Sequence, residues 1–241
     1  MTVRARHVGA DATPRQYPQL QVTTPRGACE ILLIRHGESE AGIEGETFAT
    51  LDGHADPALS PAGRRQAGRL AARLAIEHID AIYVTSLRRT AETAEPLSVR
   101  LGMRPIVEPE LRELFLGDWE GWVFRQKMSD GDPDALRVVR EQRWALVPGC
   151  EPLDAFYARV HGAIARLAAR HPDQRLVVVA HGAVIAEVLA KATGSRPFAF
   201  LGADNASISH LIITPERWIV RRFNDTTHLD ERLTVEAAPP M

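Results

Sequence analysis

Two histidines occupy matching places in this chain. One lies in Leu32-Leu33-Ile34-Arg35-His36-Gly37-Glu38-Ser39, the other in Val177-Val178-Val179-Ala180-His181-Gly182-Ala183. Each follows a short apolar run and precedes a glycine. A neutral imidazole is a good nucleophile near neutral pH. It needs one ring nitrogen free and the other held as a donor. Arg35, beside His36, adds a planar cation that can clamp the oxygens of an anion. A nucleophile next to a fixed cation points to chemistry on an anion, with phosphate as the leading candidate.

Two further stretches carry reactive side chains. In Thr85-Ser86-Leu87-Arg88-Arg89-Thr90-Ala91-Glu92-Thr93-Ala94, a strand end runs into a helix. Neighbouring helical residues point about 100° apart, so one of Arg88 and Arg89 can face a site while the other is solvated. The amides at such a helix start also favour an anion. In Leu111-Arg112-Glu113-Leu114-Phe115-Leu116-Gly117-Asp118-Trp119-Glu120-Gly121, Glu113 and Glu120 compete for the role of general acid. A partly desolvated carboxyl can protonate a leaving oxygen and then take a proton from water. Trp119 is either its apolar wall or core.

These residues need elements to position them. Glu30–Arg35, Ala81–Thr85 and Arg175–Ala180 read as buried strands, and Pro105–Glu108 as a short one. Both histidines then fall at carboxyl ends of strands, where open α/β sheets keep their ligand sites. Ser60-Pro61 opens a helix as N-cap and first-turn proline, with Ala67, Leu70, Ala71 and Leu74 on its apolar face. Further helices are expected from about Leu87 to Leu101, Leu153 to Ala169 and Val184 to Thr193. Ser207–Ile213 and Trp218–Phe223 form a hairpin around Thr214-Pro215-Glu216-Arg217. The stretch Gly117–Pro148, with its Gly131-Asp132-Pro133 turn, is expected to form a cap carrying one or two amphipathic helices. Alternating strands and helices imply a three-layer α/β/α sandwich with a mainly parallel central sheet.

The whole chain limits the alternatives. Its 241 residues suit one large core, and its formal charge of −2 gives no global attraction to nucleic acid or an anionic membrane. Any anion site must therefore be local. No apolar run approaches a membrane span. Lys127 and Lys191 are the only lysines among 29 basic residues. We read that bias as compositional, because arginine serves an exposed surface as well as an anion site. Two cysteines, Cys29 and Cys150, build no disulfide framework and no zinc spacing, which leads us to expect the reducing cytoplasm. Residues 1–29 lack the apolar centre of a secretory signal and are expected to form an N-terminal arm. Residues 30–230 form the domain, with an insertion at about 121–148, and residues 231–241 form a C-terminal tail. A homodimer is the base-rate expectation.

Taken in order, LIRHGES, TSLRRTAETA, LRELFLGDWEG and VVVAHG resemble the histidine phosphatase superfamily, from about Ile31 to His228. Asp204–Ser209 and Asn224–Leu229 are similar to its C-terminal part. The resemblance implies a phosphoglycerate mutase-like fold and the residue roles. His36 would accept the phosphoryl group, and Arg35, Arg89 and His181 would hold the phosphate. Arg89 is preferred to Arg88 because it stands four residues before Thr93-Ala94. Glu113 matches the proton donor, and Glu120 belongs to the Gly-x-Trp-Glu-Gly turn. Ser39 and Gly182 are added as phosphate-binding candidates, Ser39 with the nearby loop as its alternative partner. His228 is a candidate for the pocket's outer wall. Two positions depart from the pattern. Gly42 stands where the family often has asparagine, and Gly149-Cys150-Glu151-Pro152 replaces a Gly-Gly-Glu-Ser stretch.

The implied activity is that of a phosphatase of the histidine acid phosphatase type. It would be metal-independent, need no cofactor, and act through phosphohistidine on a small phosphorylated metabolite. Three rivals were weighed. His36, His181 and Glu113 could form a two-histidine, one-carboxylate metal set, but converging arginines would repel a divalent cation. A non-catalytic phospho-ligand binder would be expected to lack part of the core set, and none is missing. A phosphoglycerate mutase-type transfer would share phospho-His36, with Arg125, Lys127, Arg137, Arg140 and Arg143 as extra anion contacts. The form of the Gly-x-Trp-Glu-Gly motif favours the phosphatase.

Overall fold

A computed structural model describes residues 16–19 and 23–229. The expected tail at 231–241 and most of the expected arm lie outside the described residues. Where the arm's last residues are described, they bind the body. The Gly27 amide donates to Asp173 Oδ1 at 2.6 Å, and the Asp173 amide donates to Ala28 O at 2.8 Å.

In chain order the elements are β1 (Cys29–Arg35), β2 (Thr50–Leu51), β3 (His54–Ala55), α1 (Pro61–Leu74), β4 (Ala81–Val84), α2 (Arg88–Leu101) and β5 (Ile106–Val107). The cap helices α3 (Val123–Ser129) and α4 (Pro133–Glu141) come next. They are followed by α5 (Leu153–Arg170), β6 (Arg175–Ala180), α6 (Gly182–Thr193), β7 (Ile208–Ile213) and β8 (Trp218–Asp225). Six strands form one sheet in the order β5-β4-β6-β1-β7-β8. β5, β4, β6 and β1 pair in parallel, whereas β7 and β8 join antiparallel at one side.

Strand alternation divides the core into two clusters. Leu32, Ile34, Ile82, Val84, Val177 and Val179 face α1 and α2 through Leu70, Leu74, Ala94 and Leu97. Ile31, Leu33, Leu176 and Val178 face the opposite way, onto α5, α6 and the cap. Both faces of the central strands are therefore covered, which explains their continuous apolar runs. β1 pairs with β6 from Glu30↔Arg175 to Arg35↔Ala180, so His36 and His181 leave the sheet side by side.

Helix starts follow their caps. Ser60 Oγ accepts the Gly63 amide at 3.0 Å, as expected for a serine N-cap before Pro61. Asp132 caps α4, accepting the amides of Asp134 and Ala135 at 3.0 Å each. One element escaped the sequence reading: the small β2–β3 hairpin. Its turn residues Asp52 and Gly53 have φ of 50° and 87°, as an Asp-Gly hairpin turn requires. The hairpin is only two residues long on each side, too short to show an alternating pattern.

Candidate active site

The parallel strands β1, β4 and β6 end together, and the residues that follow them form the floor of a cavity. His36 sits after β1 and is 6% exposed. Its amide donates to Ala180 O at 3.0 Å, and Asn205 Nδ2 donates to its carbonyl at 2.9 Å. The ring is therefore carried on a backbone held from both sides. Nδ1 lies 2.7 Å from Gly37 O. A carbonyl only accepts, so Nδ1 carries the proton and Nε2 keeps a free lone pair. Gly37 makes this possible by close approach: a Cβ there would lie 2.8 Å from Gly63 O in α1. Burial, then Arg89 and Arg35, hold the His36 pKa well below the ordinary histidine value. The imidazole is neutral at pH 7.

Three arginines converge on His36 without a carboxylate partner among the described ion pairs. Arg35 Nη1 donates to Ala203 O at 2.6 Å, and Arg89 Nη1 donates to Ala55 O at 2.9 Å. The Nε of Arg35 is buried with no partner among the described residues. Arg88, one residue earlier, points outward and pairs with Glu92. The two arginines thus separate as their helical spacing predicts. The third cation, Arg125 on α3, donates from Nη2 to Ser39 Oγ at 3.0 Å.

Glu113 lies across the cavity from these cations. Its Oε1 accepts the Leu114 amide at 2.9 Å, and both its oxygens lie 3.2 Å from the Ala183 amide in the first turn of α6. Burial raises its pKa above the usual carboxyl value, outweighing these donors and the two arginines. Glu120 does different work. It accepts the amides of Ala55 at 3.1 Å and Leu116 at 2.9 Å, tying the β2–β3 hairpin to the cap entrance.

His181 is fully buried, its ring centroid 5.2 Å from that of His36. It lies behind the cavity floor rather than among the lining residues. Its Nε2 is 3.0 Å from Thr85 Oγ1, and its Nδ1 has no partner among the described residues. Burial, then Arg89, keep it neutral too. Gly182 does line the cavity, where a Cβ would meet Arg35 Nε and Glu113 Oε2 at 3.8 Å. Ser39 does not line it and serves the Arg125 contact instead.

The expectation for His228 needs correction. Its Nε2 lies 3.0 Å from Ala206 O, behind the loop that holds the His36 carbonyl, and it is absent from the cavity wall. The five basic residues of the cap also divide. Only Arg125 lines the cavity; Lys127 turns to Asp132 at 2.7 Å and Arg137 to Glu141 at 2.8 Å. Thr85 and Asn205 were missed as supports of the two histidines. Both lie in stretches already singled out, but their roles depend on contacts between distant strands.

The profile of the histidine phosphatase superfamily (branch 1) matches residues 31–226. The chain belongs to this superfamily. It is 32% identical over 206 residues to phosphoglycerate mutase-like protein 4 of Arabidopsis thaliana, covering 84% of this chain and 87% of that one. It is 33% identical to phosphoserine phosphatase 1 of Hydrogenobacter thermophilus, covering 84% of this chain and 95% of that one. Among solved structures, a mycobacterial glucosyl-3-phosphoglycerate phosphatase superposes with a TM-score of 0.67 at 29% identity, covering 83% of this chain and all of that one. The chain thus resembles these proteins in both sequence and fold.

Proposed function

We propose that this protein is a metal-independent phosphomonoesterase that works through phospho-His36 on a small phosphorylated metabolite. The observation that carries the reading is the state of His36. It is neutral, its Nδ1 proton is held by Gly37 O, and its free Nε2 is flanked by two buried arginines with unbalanced charge. Such a site favours a phosphate dianion and disfavours a divalent metal ion.

The substrate phosphate binds between Arg35 and Arg89, whose donors neutralise charge on the equatorial oxygens. His36 Nε2 attacks phosphorus in line with the ester oxygen. Glu113, whose carboxyl pKa burial raises, gives its proton to the departing alkoxide. It then takes a proton from water, which attacks phosphohistidine and releases inorganic phosphate.

His181 supports the phosphate from below. Thr90 Oγ1 donates to Leu87 O at 2.8 Å, and Thr85 Oγ1 accepts the Leu87 amide at 3.2 Å. The Thr85 hydrogen then has two acceptors in reach, His181 Nε2 at 3.0 Å and Thr90 Oγ1 at 3.1 Å, and we assign it to His181. In that tautomer His181 Nδ1–H is a buried donor waiting for a phosphate oxygen. Gly182 leaves room for the phosphate at the start of α6, and Ser39 acts through Arg125.

A mutase would share phospho-His36 and would need a second anion site to retain a bisphosphate. Arg125 is the single cap cation on the cavity, which favours hydrolysis. The test is rapid acid-free quenching during turnover of p-nitrophenyl phosphate after exhaustive chelation. Undiminished turnover with acid-labile phosphate on His36 is expected. Loss of activity restored by zinc or iron, or turnover without a phosphoenzyme, defeats the reading.

A further inference from the structure

The cavity holds about 190 Å³, and its two ends differ in chemistry. The floor carries the arginines, His36 and Glu113. Above it the wall is hydrocarbon: Pro57 from the loop after β3, Leu116, Phe124 and Trp144 from the cap segment, and Leu201 before β7. The wall is also stiff. Phe124 stacks on Trp119 at 6.2 Å with an interplanar angle of 18°, and meets Trp144 edge-on at 5.5 Å. Trp144 in turn rests on Phe198 at 5.1 Å. Four rings in series hold two of their number, Phe124 and Trp144, against the cavity at 63° to one another, so the apolar wall is an aromatic corner backed by Trp119 and Phe198.

Polar groups that could recognise a charged alcohol are scarce there. Arg125 is the lone charged side chain of the cavity outside the floor, and its guanidinium is already engaged by Ser39 Oγ and, more weakly, Glu40 O at 3.5 Å. Lys127 lies over the far aromatic ring, 5.0 Å from the Trp119 centroid, while bonded to Asp132. No carboxylate lines the wall to receive an ammonium group. Placing an ammonium against such a wall removes its water without giving it a partner, and a carboxylate would find only Arg125. An aromatic or alicyclic group would instead exchange water for close ring contact.

From this we infer that the enzyme selects phosphomonoesters whose alcohol carries an apolar ring, aromatic or alicyclic, with Phe124 as the residue that reads it. Small esters whose alcohol carries an ammonium group, zwitterions included, are poor substrates. The inference rests on the phosphomonoesterase reading and narrows its substrate class. Benzyl phosphate and O-phosphoserine separate the two possibilities, because both release an alkoxide and differ mainly in what the wall must contact.

The experiment measures kcat/KM for both esters on the same enzyme sample. Their ratio is independent of the fraction of protein that is active. A preference for benzyl phosphate of about 100-fold is expected, in the range that a hydrophobic pocket provides. Phe124→Ala should reduce the ratio about tenfold, and Phe124→Leu by less. Equal rates, a preference for phosphoserine, or a ratio unmoved by Phe124→Ala overturns the inference while leaving the phosphatase reading intact. If neither these esters nor p-nitrophenyl phosphate is hydrolysed, both fall together.

Discussion

The floor and the wall of one cavity are built on opposite terms. Floor residues stand at or after the ends of the four parallel strands β1, β4, β5 and β6, and their polar atoms are held by backbone carbonyls and amides. His36 is held by Gly37 O, Arg35 by Ala203 O, Arg89 by Ala55 O and Glu113 by the Ala183 amide. The wall comes from the loop after β3, the cap segment and one later loop, and its aromatic part is fixed by ring packing. Directional bonds fix the place of each charge, as the positioning and electrostatic demands of phosphoryl transfer require. Apolar packing sets a surface and leaves the identity of what slides along it less restricted. Transition-state chemistry and substrate choice are thus carried by physically different materials.

That contrast can be broken by substitutions graded from floor to wall. The largest effect is expected at the nucleophile. His36→Ala should lower kcat by about 10⁴ or more, as nucleophile removal does elsewhere, with the far-ultraviolet circular dichroism unchanged. Near-normal turnover in that variant would end the phosphohistidine mechanism. Arg89→Ala should follow, costing about 10²–10³ in kcat through loss of one preorganised donor. It should also weaken inhibition by vanadate, which mimics five-coordinate phosphorus. Undisturbed vanadate binding would remove Arg89 from the phosphate clamp.

Glu113→Gln sharpens the comparison through leaving groups. Benzyl phosphate should slow by about 10² or more, because its alkoxide needs the proton. p-Nitrophenyl phosphate, whose phenolate leaves unaided, should suffer far less in the first step, read as a burst of nitrophenol. The pH profile gives a second readout. The Glu113 pKa is raised, so the acid form persists above the ordinary carboxyl range and is lost as pH rises through it. The His36 pKa is depressed, so the free nucleophile persists as pH falls below 6.5 and is lost only further down. The alkaline limb should vanish in Glu113→Gln while the acid limb stays. Equal slowing of both esters, with both limbs kept, would exclude Glu113 as the acid.

A smaller effect is expected from Thr85→Val, which removes the partner of His181 Nε2 while keeping the side-chain shape. Loss of about tenfold in kcat, with His181 changing tautomer by nitrogen NMR, is expected if Thr85 orients it. An unchanged tautomer would reduce Thr85 to packing. The mildest change is Gly42→Ala. A Cβ there would lie 2.2 Å from Trp122 Cγ, so the indole must move. Trp122 begins the turn into α3, and its Nε1 donates to Glu46 O at 3.0 Å. A few-fold rise in KM for benzyl phosphate, with kcat nearly constant, is expected; a fall confined to kcat would contradict it.

Much of the floor was legible because each functional residue adjoins a strong local signal. The runs before His36 and His181 are long enough to read as strands, and Ser60-Pro61 marks a helix start without ambiguity. Arg89 could be separated from Arg88 by helical spacing and motif position together. The wall was less legible. Phe124, Trp144 and Leu201 are ordinary apolar residues in sequence, and only their convergence makes them a surface. His228 was not decided by its sequence: its place near a recognised motif left the pocket's outer wall open to it, and its contact with Ala206 O sets it behind the loop instead. The supporting roles of Thr85 and Asn205 were hidden for the same reason. Their partners, His181 and His36, are distant along the chain and adjacent only across the sheet.

One seam in the cap has a consequence for how such a chain can change. Gly117 and Gly149 cross so closely that a Cβ on Gly117 would lie 2.2 Å from the Gly149 carbonyl carbon, and the Asp118 amide donates to Pro148 O at 2.9 Å. Both glycines have positive φ, 53° and 71°, which side chains rarely tolerate. The segment that supplies Phe124 and Trp144 is therefore clasped at its two ends, like a loop of thread drawn through one knot. Inside the knot, residues can be exchanged without loosening the strands that hold His36. Descent with altered taste for substrates can then work on Phe124 and Trp144 within the loop, while the reaction itself is inherited unchanged.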